Sequence, residues 1–199
     1  MKKLVREIVL SRTYRQASGV NAKDPENRLF GRANRRRLEA EAIRDAMLSV
    51  SGKLSDERGG PLFPASLAAD YGFKHTATCR SVYLPVFRNA LPELFDAFDF
   101  ADPSTVTGRR NASTVAPQAL FMMNNPFAVD QAKHAAARLL SEKITDEDSR
   151  ITRAYRLALG RLPTDGERAV ATKFLEKNPN AWAAVFQSLF ASADFRYVE

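Results

Sequence analysis

In the stretch GRRNASTVAPQALFMMNNPF (108–127), Arg109 and Arg110 stand side by side ahead of an apolar block with a proline on each side. Two adjacent guanidinium groups before a helix start can grip a carboxylate or phosphate bidentately, and the unsatisfied N–H groups of a first helical turn favour the same anion. Carboxylates are close at hand, since Asp96, Asp99 and Asp102 precede Arg110 by at most 14 residues. Those aspartates allow three kinds of chemistry: an internal ion-pair clamp with the arginines, acid and base for glycoside hydrolysis, or ligation of a divalent cation. The clamp is the leading expectation, because turn spacing brings carboxylates together without supplying a substrate groove. It would pin a long loop onto the helices.

Other reactive side chains are few. The chain has one cysteine and two histidines, so a disulfide framework and a cysteine-based metal site are excluded. His75 and Cys79 form a His-x-x-x-Cys pair, but two ligands make a poor metal site, and no metal is expected. The nucleophile-elbow, phosphate-loop and zinc-protease patterns are missing, as is Cys-x-x-Cys-His, so this chain attaches no c-type haem. Asn111-Ala-Ser113 matches a glycosylation triplet, which carries meaning only in a eukaryotic secretory setting.

The net charge of +7 is unevenly placed. Residues 1–60 carry 14 basic and 8 acidic side chains, whereas residues 141–199 carry 9 of each. A basic third admits an acidic partner such as nucleic acid, an anionic glycan or a phospholipid surface. Arg32, Arg35, Arg36 and Arg37 form the candidate basic surface. On a helix, Arg35 with Glu39, Arg37 with Glu41, and Glu41 with Arg44 would meet three or four residues apart, which leaves only Arg36 unmatched and makes nucleic acid a weak expectation. No apolar run reaches the roughly 18 residues of a membrane span, and Arg6 with Glu7 interrupts any signal-peptide core.

These side chains must be positioned by helices. With 199 residues and 45% hydrophobic content, the chain suits one domain, 1–199, with a helical subdomain at about 145–199. Leu4, Ile8 and Val9 against Lys3, Arg6 and Glu7 predict an amphipathic first helix, followed by a turn-rich loop at 18–27. Leu38, Ala42, Ile43, Ala46, Met47 and Val50 predict a helix over 34–50, capped by Asn34 and closed by Gly52. Residues 55–79, with Gly59, Gly60, Pro61, Pro64 and Gly72, read as a long irregular connection. Val82, Leu84 and Val86 suggest a short strand that Pro85 confines to an edge.

Further on, residues 92–98 read as one or two helical turns. Pro117 suits the first turn of a short helix capped by Ser113 or Thr114, and Asn125-Pro126 restarts a second one. Capping pairs Thr145/Asp148 and Thr164/Glu167, with Pro179 in a first turn, predict helices at about 146–160, 165–177 and 179–193. Trp182, Val185, Phe186, Leu189 and Phe190 would face the core. The fold class is therefore mainly α, an irregular helical bundle with long loops and at most one minor β element.

Read in order, LVREIVLSRTYRQAS, DPENRLFGRANRRRLEAEAIRDAMLSVSGKL, RSVYLPVFRN, FDFADPS, RRNASTVAPQALFMMNNPF, LALGRLPTDGE and AWAAVFQSLFASADFRYVE span nearly the whole chain. This ordered set resembles the C-terminal domain of unknown function of large planctomycete-type proteins that also carry a cytochrome c-like domain and a second uncharacterised domain. The resemblance implies an extracytoplasmic, mainly helical domain that follows other modules, with haem confined to an upstream module and no cofactor here. It transfers no catalytic residue. It also implies that this chain is a fragment of a longer protein.

The functional expectation is a non-catalytic helical binding or structural domain of an exported multidomain protein. Its partners would be the other domains of the parent protein, and a glycan or another anionic ligand. The contact surface would be Arg109–Arg110 and the 55–79 loop. A carbohydrate-active hydrolase using the loop aspartates, and nucleic-acid binding through the basic surface, are the alternatives.

Overall fold

Capping chemistry sets most of the helix boundaries. The structure, a computed structural model, describes residues 1–19, 21–57 and 60–198. Gly59 of the long connection and Glu199 of the last block lie outside them. The described residues form two compact units, one of Met1–Arg37 with the chain end from Tyr197, the other of Leu38–Arg196.

In the first unit, α1 (Lys2–Leu10) has the expected amphipathic pattern and yet buries none of its residues. β1 (Arg36–Arg37) pairs antiparallel with β2 (Tyr197–Val198), Arg36 opposite Val198 and Arg37 opposite Tyr197. The 21–34 loop is built around Asn27, which is 5% exposed and adopts a left-handed φ of 52°. Its Nδ2 donates to the Arg32 carbonyl at 2.9 Å and to Asn34 Oδ1 at 3.0 Å. Asp24 accepts from the amides of Arg28 and Leu29 at 2.9 and 2.8 Å, an aspartate satisfying backbone donors within a turn.

The second unit is helical. Its elements are α2 (Ala40–Ser51), a 3-10 turn (Ser81–Tyr83), α3 (Glu93–Ala97), α4 (Ala116–Asn124), α5 (Pro126–Ser141), α6 (Glu147–Leu159), α7 (Asp165–Lys177), α8 (Trp182–Ala191) and α9 (Ala193–Arg196). α5 packs against α8 and α2, and α6 against α7 and α8. The core joins Ile43, Met47, Phe95, Leu139, Phe186 and Phe190. The unit's first and last residues meet, with the Leu38 amide donating to the Arg196 carbonyl at 2.7 Å. A mainly α fold with a minor β element is thus the observed class.

Several expected boundaries hold. Gly52 closes α2 in the left-handed conformation at φ 73°, and Asn125 caps α5 by accepting from the Phe127 amide at 3.0 Å. Thr164 and Glu167 exchange capping bonds at the start of α7. Others differ for identifiable reasons. α2 begins at Ala40 rather than 34, with Asn34 outside it, because three arginines would load positive charge on the positive end of the helix dipole while Glu39 and Glu41 suit that end. Arg36 and Arg37 form a strand instead, and Arg35 and Arg37 lie outside the helix that would pair them with Glu39 and Glu41.

The minor β element lies there, and the 80–88 segment instead makes the 3-10 turn. Asp45 Oδ1 draws that turn onto α2 by accepting from Ser81 N at 2.8 Å and Ser81 Oγ at 2.6 Å. α4 has Val115 rather than Ser113 or Thr114 at its N-cap. Asp146 replaces Thr145 as the cap of α6, accepting from the Ser149 amide at 2.7 Å. α8 starts at Trp182, leaving Pro179 in the preceding turn.

Candidate functional site

The connection between α3 and α4 carries the arginine pair, Asp99 and Asp102. Its backbone reverses at Asp99, which holds a left-handed φ of 56°. That conformation aims the Asp99 carboxylate at Ser113, accepting from its amide at 2.9 Å and its hydroxyl at 2.8 Å. Asp102 accepts from the Ser104 amide at 2.8 Å within its own turn. Asp96, on α3, is exposed.

Arg110 reaches elsewhere. Its Nη1 donates to Glu41 Oε1 at 2.7 Å and Oε2 at 2.9 Å, and to Glu39 Oε2 at 3.4 Å. The guanidinium carbon lies 4.6 Å from the centroid of the Phe100 ring. The expected aspartate clamp is therefore not the pairing of Arg110: glutamates of α2 and its cap hold it, 69 and 71 residues away in sequence. Arg109 is exposed and has no ion-pair partner among the described residues. Beside Glu39 and Glu41 runs a groove of about 460 Å³, floored by Phe95 and Phe100 and edged by Val82, which is 77% exposed.

His75 and Cys79 do separate jobs. His75 Nε2 donates to the Ala90 carbonyl at 2.7 Å, since a carbonyl oxygen can only accept. The ring sits edge-on to Phe73, centroids 4.9 Å apart, and Phe73 meets Phe87 at 5.1 Å. This aromatic group anchors the 55–79 connection. Cys79 is buried, and its carbonyl accepts from Arg44 Nη1 at 2.9 Å.

The basic quartet belongs to the first unit. Arg32 Nη2 donates to the Pro25 carbonyl at 2.5 Å, and the Arg35 guanidinium lies 5.0 Å over the Tyr197 ring. Arg36 is exposed and Arg37 half-buried in β1.

Two features escaped sequence reasoning. One is a groove of about 570 Å³ between α6, α7 and α8, lined by Tyr155, Val170, Phe174 and Val185, with Val170 71% exposed. The signal was present, since Val170 and Phe174 stand one helical turn apart. The other is the fork of Arg161, whose Nη1 and Nη2 donate to Glu167 at 2.8 and 2.7 Å while Nη2 donates to Asp194 at 2.5 Å. Bonding to Arg161, with help from Thr164, holds the Glu167 carboxyl down from 4.5 to about 2.

A depressed carboxylate contributes stability above its unfolded pKa and loses it as pH falls through the folded value. The Glu167 contribution is thus complete above pH ~4.5 and gone near pH ~2, and, with the pair about one-third exposed and screened, amounts to about 1–2 kcal/mol. Denaturant titrations should show Glu167→Gln weaker than the parent by that amount near pH ~6, with the gap closing on acidification. A gap independent of pH would show that packing, not charge, is lost.

Fold and side-chain geometry define a mainly α domain in which ion pairs brace long connections onto a helical core. The chain belongs to the PSD1 family, described as a protein of unknown function (DUF1553), which residues 1–175 match. No curated protein matches it, and no solved structure does.

Proposed function

We propose that this chain is a non-catalytic helical structural and binding domain of an exported multidomain protein, with the parent's other domains as partners. The carrying observation is the ion pair in which Arg110 Nη1 donates to both carboxylate oxygens of Glu41, reinforced by the Phe100 ring. The group best suited to seize an anionic ligand is engaged as a brace. Asp99 and Asp102, two of the three carboxylates a hydrolase would draw on, are occupied by Ser113 and Ser104 in the same way, and Asp96 is exposed on α3. Arg109, exposed on that connection, is left for an anionic partner such as a glycan. The ordered sequence blocks support a place after other modules outside the cytoplasm.

Arg110→Ala should lower the melting temperature by about 2–6 °C, from a half-buried ion pair contributing about 1–2 kcal/mol, whereas Arg109→Ala should change it by less than about 1 °C. Equal effects of the two substitutions would remove the brace. Turnover of a polysaccharide that disappears in Asp99→Asn, with the fold retained, would replace this reading by the hydrolase.

A further inference from the structure

The positive charge of this protein is concentrated more sharply than its thirds suggest. Residues 1–37 carry eleven Lys plus Arg and three Asp plus Glu, a net of +8, while the whole chain carries +7. The same unit displays apolar side chains that nothing in it covers. In α1, Leu4 is 56% and Ile8 50% exposed, and Val5 and Val9 lie on the same arc of the helix, with Lys2 at its border and Lys3, Arg6 and Glu7 on the other side.

A second display is the tip of the Asn27 loop, where Leu29 is 84% and Phe30 75% exposed. Phe30 sits at a left-handed φ of 52°, a conformation costly for an aromatic residue. It is held there by its amide donating to the Asn27 carbonyl at 3.3 Å and by Gln16 Nε2 donating to its own carbonyl at 3.3 Å. The second bond sets the tip beside the turn that follows α1. In that turn Arg12 and Arg15 line a shallow cavity of about 340 Å³.

We propose that Met1–Arg37 is a docking element for an anionic lipid bilayer. The apolar face of α1 and the Leu29–Phe30 tip enter the headgroup boundary, while Lys3, Arg6, Arg12 and Arg15 pair with lipid phosphates. Charge complementarity selects this occupant. A second copy would bring two surfaces of +8 together, and nucleic acid would have no use for the exposed aliphatic arc, whereas a basic amphipathic helix matches both layers of an anionic membrane surface. No described helix is long and apolar enough to cross a membrane.

The test is sedimentation of the full chain with phosphatidylcholine vesicles, with and without phosphatidylglycerol. Binding is expected only to the anionic vesicles. Leu4→Ser/Ile8→Ser and Leu29→Ser/Phe30→Asn should each weaken it by about tenfold or more, and Lys3→Gln/Arg6→Gln by about fivefold per charge. All six side chains are exposed, so the variants should melt as the parent does. The proposal is overturned if the chain ignores anionic vesicles at low salt. It is equally overturned if the apolar substitutions leave vesicle binding unchanged, or if single-stranded DNA is bound as tightly as the vesicles by parent and apolar variants alike, either of which would reduce the unit to a general polyanion binder.

Discussion

Replacing Arg44 by methionine is expected to destabilise the protein by about 3–5 kcal/mol, the range for breaking a buried charged network by removing one partner. The Arg44 side chain is 6% exposed and projects from α2 under the irregular connection. Nη1 donates to the Cys79 carbonyl at 2.9 Å and Ser81 Oγ at 3.2 Å, and Nη2 donates to the Ala77 carbonyl. Asp45 Oδ1, 3.6 Å away, provides the counter-charge. Burial lowers the guanidinium's pKa, and Asp45 opposes the shift. Methionine keeps the volume but takes the guanidinium donor from the buried Cys79 and half-buried Ala77 carbonyls, each costing up to about 1–3 kcal/mol.

Arg44→Lys should recover only part of the loss, because an ammonium cannot reproduce the guanidinium fork. Hydrogen exchange should locate the damage at Ser55, whose amide donates to Thr78 at 3.0 Å where the connection bridges back on itself. A loss below about 1 kcal/mol would mean that the connection holds its course without Arg44.

Phe186→Ala should have a comparable effect for a different reason. Phe186 is fully buried on α8, with the Phe190 ring 6.3 Å away, and α8 is the helix against which α5 packs. Truncation removes the apolar transfer term and leaves a cavity, together about 3–5 kcal/mol, or a fall of about 10 °C in melting temperature for a chain of this size. Val170→Ala, at a position 71% exposed, should stay within about 0.5 kcal/mol. If the two substitutions proved equal in a thermal melt, the assignment of the core to α8 would be wrong.

Local chemistry was legible and distant pairing was not. Asn125 and Thr164 announced their helices because a capping side chain bonds an amide two or three residues on, within reach of any sequence window. The Phe186 face followed from helical spacing alone. Arg110 shows where that reasoning stops. Three aspartates nearby in sequence were the natural partners, but Glu41 is 69 residues away, and its availability depended on α2 starting at Ala40. The arginine run at 35–37 misled in the same way, since its strand exists only through residues 197–198 at the other end of the chain. Asp99 stood out in the sequence as a carboxylate, but its service to Ser113 rests on a left-handed backbone that no residue pattern here announced.

The meeting of Leu38 with Arg196 at 2.7 Å makes residues 38–196 a circle lacking only its last link. A few glycines could join those two positions, and new ends could be opened at the exposed turn between α7 and α8 without dismantling the core. Topology therefore permits this helical body to be rewired, or inserted whole into a loop of another protein, with both attachment points leaving side by side.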